Sequence, residues 1–254
     1  KMKMIKNKSV RLNTPLRRSF TVALSAAGIL LASNPAGANT INWTGSTDTT
    51  WATGTNWTGG TAPTSDLTTD IALFNLATYT NQPNAGTTSI NGIQIGDGTT
   101  ATGALTLSGT ALTIGSSGIS MLANAGAATI SSPITLGAAQ TWSNNSSNLL
   151  TVSGTVANGG FLLTSGGSGN TTASGVISGT GGLTKTGSGT LTLSGANTFN
   201  EVLTINAGTV TTTAAQGFVN GGITVSIGAS GTANVALTED LKVNNIFTGT
   251  GILT

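Results

Sequence analysis

The sequence predicts an all-β chain wound as a right-handed parallel β-helix, with turns of about 20 residues and an aromatic-rich N-terminal cap. Three observations predict this. Short runs of the form apolar-Thr-apolar recur, among them Leu105-Thr106-Leu107, Leu112-Thr113-Ile114, Ile134-Thr135-Leu136 and Leu191-Thr192-Leu193. Leu163, Leu183, Leu203 and Ile223 stand 20 residues apart, each followed by threonine, and Val243-Asn244 continues the series. The 254 residues include no cysteine and no histidine, so backbone ladders and stacked apolar side chains must hold the scaffold together.

Residues 1–38 read as an export leader. Seven of the nine basic residues lie in the first eighteen positions, an apolar run from Phe20 to Leu31 follows, and Ala36-Gly37-Ala38 closes the segment. A charged head, an apolar middle and an A-x-A exit are the three parts of a secretory signal peptide. The run falls short of the about 20 apolar residues that span a bilayer. Cleavage after Ala38 would leave Asn39 as the first mature residue, with Ala36 and Ala38 as the small residues that the peptidase reads. Arg17-Arg18 partly resembles a twin-arginine signal, and general secretion is the preferred route.

Residues 39–98 form a distinct N-terminal region that holds three of the four tryptophans, Trp43, Trp51 and Trp57. Asn42-Trp43-Thr44-Gly45 is echoed by Asn56-Trp57-Thr58-Gly59. A solenoid must cover its first apolar turn, because an open end is both an unpaired edge and an exposed core. Bulky aromatics suit that task, so the three tryptophans are expected to cap. The competing reading makes them a platform for sugar rings.

Residues 99–254 are read as the solenoid repeats, with weaker echoes from Asn91 onward. Alternation with period two puts aliphatic residues on one side of each strand and threonine on the other. Parallel pairing one turn away then stacks Leu163, Leu183, Leu203, Ile223 and Val243 into a narrow core. Outward Thr and Ser meet water. Gly and Asn supply the corners. Regularly placed aliphatic residues separate this chain from a disordered low-complexity linker.

Within this frame Ser178–Phe199, SGTGGLTKTGSGTLTLSGANTF, followed by Leu203–Val210, LTINAGTV, resembles the autotransporter-associated β-strand repeat. The likeness is close over these residues and echoed more weakly over 91–254. The tryptophan-rich start and the Asp70-x-Ala72-x-Phe74 run are similar to the beginnings of such proteins. The resemblance implies export by a Gram-negative bacterium, display on the outer-membrane surface and a passenger-type β-helix. It carries no catalytic residues. Such proteins end in a membrane β-barrel or a sorting tail, and Thr250-Gly251-Ile252-Leu253-Thr254 breaks off where Lys-Thr-Gly would follow, so a fragment of a longer protein is expected.

Charge distribution excludes nucleic acid as a partner. After Asn39 only Lys185 and Lys242 face seven acids, which leaves no basic stripe for phosphates. Expected partners are the export machinery, through the leader, and a host or neighbouring cell surface with its glycans or matrix. The mature segment is not expected to embed in a membrane. Neither cofactor nor metal is expected, because triads and common zinc sites lack their histidine and cysteine. Gly179 to Thr186 approaches a phosphate-loop pattern, but Thr184 replaces the second required glycine. Glycan-cleaving β-helices need clustered carboxylates, whereas Asp48, Asp66, Asp70, Asp97, Glu201, Glu239 and Asp240 are scattered. Thr190-x-Thr192 could order water as part of a hydroxyl grid that binds ice. In the 20-residue series its neighbours are the single threonines Thr204 and Thr224, so no grid is expected.

Overall fold

The structure, a computed structural model, describes residues 38–212, 224–235 and 246–254. Residues 1–37, which hold the expected leader and Ala36, lie outside them, as do Ile223, Glu239, Asp240 and Val243. Twenty strands and one 3-10 turn, Gly54–Asn56, are the regular elements among the described residues. Every named strand pairing is parallel, which is what a chain that returns on itself once per turn produces. The result is a parallel β-solenoid of about 7 turns with about 22 residues in each.

Each turn crosses three faces. A long face runs from Asn39–Asn42 through Asp70–Phe74, the second half of Thr87–Ile95 and of Ala111–Met121, Gln140–Asn144, Leu163–Gly166 and Leu183–Lys185. It continues through the first half of Leu203–Thr212 and of Thr224–Val235 to Ile246–Gly249. A second face stacks Leu105–Leu107, Ala128–Ile130, Leu150–Val152, Thr171–Ala173 and Thr190–Leu193, then the last residues of Leu203–Thr212 and Thr224–Val235. A third, shorter face stacks Ile134–Leu136, Val156–Ala157, Ile177–Gly179 and Thr198–Phe199. The ladder therefore starts at Asn39, inside the region that the sequence assigns wholly to a cap.

Alternation decides what faces inward. Leu163, Leu183 and Leu203 pair in register, 20 residues apart, and are buried, while Thr164, Thr184 and Thr204 between their strands' inward residues point outward. The next step departs from the expected series. Leu203 pairs with Val225, and Val225 with Phe247, so the register positions after Leu203 are held by Val225 and Phe247. The physical reason is parity. A turn lengthened by two residues returns the chain with the same side inward, so Val225 can stand where Ile223 was expected without exposing the core.

Corners are set by close approach. A Cβ at Gly175 would collide with the carbonyl oxygen of Gly154 one turn earlier, which explains the Ser-Gly pair at this bend. Buried asparagines tie successive corners together. Asn158 donates from Nδ2 to the Gly181 carbonyl at 2.8 Å and accepts the Gly181 amide at 2.9 Å through Oδ1. Asn197 accepts the Ile177 amide at 2.9 Å. These bonds give buried corner groups the partners that neither strand supplies.

Leu203→Asp would place an unpaired charge in the stack and is expected to cost several kcal/mol of stability, read as a lowered midpoint in urea unfolding. Thr204→Ser, on the outward side of the same strand, is expected to move the midpoint by no more than about 0.5 kcal/mol equivalent.

Candidate functional site

Trp43, Trp51 and Trp57 come together at the first end of the solenoid around Phe74. Trp57 meets Trp43 edge-on at 5.0 Å and Trp51 at 4.7 Å between ring centroids, and Phe74 lies 6.0 to 6.4 Å from all three. An antiparallel bridge joins Trp43 to Trp57, which is what the Asn-Trp echo encodes. Asn56, itself buried, holds the loop with Oδ1 accepting the amides of Thr47 and Asp48 and Nδ2 donating to Asp48 and to the Thr50 carbonyl. Trp57 Nε1 donates to the Trp51 carbonyl at 2.6 Å, and Trp43 Nε1 to that of Asn81 at 3.2 Å. The rings are 0%, 3% and 2% exposed for Trp43, Trp51 and Trp57, so no ring face is open to a sugar. They close the column that Phe74 begins and Ile95 and Met121 continue. The glycan-platform alternative loses its geometry here, and the capping one keeps it.

Lys185 is the second notable position. Its strand alternation points it inward, between Ser165 on the turn before and Ile205 on the turn after, and only 2% of it is exposed. The ammonium Nζ donates to the carbonyls of Thr186 at 2.5 Å and Gly187 at 2.9 Å, bracing the corner from within. Gly208 on the next turn has a φ of +70°, and a Cβ there would approach Nζ to 2.8 Å. Burial pulls the lysine down from 10.5 to about 8. The segment that approaches a phosphate-loop pattern is therefore a strand and a corner, with its lysine turned away from solvent.

Four of the described carboxylates bond groups close to them in sequence. The Thr50 amide, with Asn56, holds the Asp48 carboxyl below its ordinary value. Asp66 is lowered to about 2, first by the Thr69 hydroxyl and then by the amides of Thr68 and Thr69. Asp97 is lowered by the amides of Thr100 and Thr99. Asp70 is buried and accepts the Thr64 amide at 2.7 Å. Among the described residues no group of three His, Cys, Asp or Glu side chains converges as a metal site would require. Among them, too, no helix is long and apolar enough to cross a membrane.

The second face carries the most regular surface. Thr106, Thr129, Thr151, Thr172, Thr192 and Thr211 follow one another in register, one per turn. Thr190 pairs with Thr209 and Thr209 with Thr232, so the neighbours of Thr190-x-Thr192 are Thr209-x-Thr211 and not Thr204 or Thr224. The constant 20-residue step had pointed to the wrong face: this turn is one residue shorter, with Leu191 opposite Val210.

A parallel β-solenoid with an aromatic cluster near its N-terminal end and ladders of outward hydroxyls belongs to the class of parallel β-helices. Within that class the chain carries a passenger repeat: residues 183–211 match the family described as Passenger-associated-transport-repeat. Comparison with curated proteins and with solved structures returned no match.

Trp57→Ala would open a cavity at the capped end and is expected to cost about 3–5 kcal/mol, read by chemical denaturation. For Lys185 the sign follows from proton binding. Between about 8 and 10.5 the unfolded chain holds more protons than the folded one, so stability rises with pH across that window. Below about 8 the buried charge weighs on the fold in full. The melting temperature of the native chain is therefore expected to rise from pH 8 to pH 10.5 relative to Lys185→Met, which lacks that titration.

Proposed function

We propose that the protein is an exported cell-surface passenger, a β-solenoid stalk with a structural and adhesive role and no catalytic one. The observation that carries this reading is the passenger repeat at 183–211 and its seat in the fold. It covers Leu183–Lys185, Thr190–Leu193 and Thr198–Phe199 and enters Leu203–Thr212, a full turn with paired strands on both sides. The repeat is thus one unit of a longer rod, suited to holding surface chemistry at a distance from its base.

Two further features support the reading. The basic head, apolar run and Ala36-Gly37-Ala38 exit make an export leader. Asp48, Asp66, Asp70 and Asp97 are each engaged by a nearby threonine, which suits structural bends better than paired acid and base. A rod of this kind meets its partners (a host or neighbouring cell, its glycans or matrix) through its faces.

Expression of the full chain with its own leader in a Gram-negative host tests export. External protease and antibody are expected to reach the protein on intact cells or in the medium, and cytoplasmic retention in full-length form would count against it. Purified protein applied to immobilised cells, matrix proteins and glycans tests adhesion separately. Turnover of any glycan by that protein would overturn the non-catalytic part.

A further inference from the structure

The three faces of the solenoid are not equivalent. On the long face the outward column Thr141, Thr164, Thr184, Thr204, Ser226 and Thr248 stands alone, because the residues two positions on are Ser143, Gly166, Thr186 and Asn206. On the third face Ala157 interrupts the column between Thr135 and Ser178. The second face alone carries two unbroken hydroxyl columns over five turns. Thr106, Thr129, Thr151, Thr172 and Thr192 make one, and Ser108, Ser131, Ser153, Ser174 and Ser194, each one residue past its strand's end and next to the bend, make the other, the amides of the last four bonding the turn before.

The grid is rigid and open to solvent. Its ladder runs from Leu105 to Leu193 without a register shift. Beneath it Leu107, Ile130, Val152, Ala173 and Leu193 are packed in the core, so the strands cannot buckle inward. The hydroxyls of Thr129, Thr151, Thr172 and Thr192 take no protein partner among the described residues, whereas in the serine column Ser108 and Ser131 donate to the carbonyls of Pro83 at 3.5 Å and Leu107 at 3.4 Å. β-Branching holds each threonine in few rotamers, so hydroxyl and methyl keep their places. Within a column the residues lie about 4.8 Å apart from turn to turn, and the two columns lie about 6.6 Å apart along the extended chain. No charged residue stands in either column or between them.

We propose that this face binds ice, through the paired threonine and serine columns from Thr106 to Ser194. A surface of short, evenly stacked side chains gives a small solute little to hold. An uncharged one gives an ionic partner nothing to pair with. What it offers is a fixed two-dimensional array of hydroxyls and methyls. Each water-mediated bond contributes modestly, and the sum becomes large only when the opposite surface repeats in two directions as well. The surface of ice does so, and its water is placed on the grid without ordering flexible side chains. A crystalline neutral glycan also repeats, but its sugar rings stack on aromatic side chains and neither column contains one. The inference is independent of the export reading, since it rests on the register of this one face.

The test is partition of the purified full chain into slowly grown polycrystalline ice, with thermal hysteresis measured on the same sample. The chain is expected to be enriched in ice at least about tenfold over a control protein of similar size. Thr151→Val with Thr172→Val removes two hydroxyls and keeps the branched shape, and Thr151→Tyr with Thr172→Tyr breaks the flat grid. Each is expected to lose most of the enrichment, while Thr204→Tyr on the long face retains it. Melting curves of all variants identify any that fail to fold, and the valine pair keeps the question answerable if the tyrosine pair does. Exclusion of the native chain from ice, equal loss in long-face and second-face variants, or binding to crystalline cellulose or chitin without binding to ice would overturn the proposal.

Discussion

Everything in this molecule depends on one constraint: each residue lies about 4.8 Å from its counterpart one turn before and one turn after. That spacing is fixed by the backbone ladder, and side chains must accept whatever neighbour it brings. Leucine over leucine is favourable on the inside, because both leave water together. Threonine over threonine costs nothing on the outside. A charge over a charge would be repelled in either place. The near absence of charge beyond residue 39 follows directly, since an ionised side chain in such a column meets its own kind unless the repeat is broken.

The same constraint makes the ends a problem. A turn in the middle is covered by two neighbours, and the first turn by one. Trp43, Trp51 and Trp57 solve this by placing three large rings around Phe74, at the foot of the column that continues through Ile95 and Met121. A loop, unlike a strand, must find partners for its own polar groups, and Asn56 supplies four bonds for that purpose. The indole Nε1 of Trp51 is buried without a partner among the described residues, so the packing of its ring outweighs one unsatisfied donor.

How much of this was legible in the sequence depended on how constant the turn length is. Leu163, Leu183 and Leu203 could be read because two consecutive turns share one length. The continuation of that series could not be read because the next turn is 22 residues long and brings Val225 opposite Leu203. The hydroxyl columns were hidden for the same reason, as the step is 23 residues from Thr106 to Thr129, 22 to Thr151, 21 to Thr172, 20 to Thr192 and 19 to Thr211. No fixed period reveals a series that shortens by one residue per turn. The aromatic cap was legible in composition but not in exposure, since the spacing of Trp43, Trp51 and Trp57 is equally compatible with an open platform. The inward place of Lys185 could have been found from Leu183-Thr184-Lys185 by parity alone.

Lys185 shows what happens when the two jobs of a strand collide. Parity divides each strand cleanly, with inward residues holding the rod together and outward residues presenting its surface, so either set can change without the other. A core one side chain deep has no room to hide a cation from its neighbours. The lysine is accommodated because it lies next to a corner, where the Thr186 and Gly187 carbonyls turn inward and where Ser165 on one side and Gly208 on the next turn leave space. Corners are thus the one part of the repeat where inside and outside are not separated by alternation. They also hold the buried asparagines that cross from turn to turn. A face can therefore diversify freely while the corners cannot, and recognition by such a rod is left to the flat faces between them.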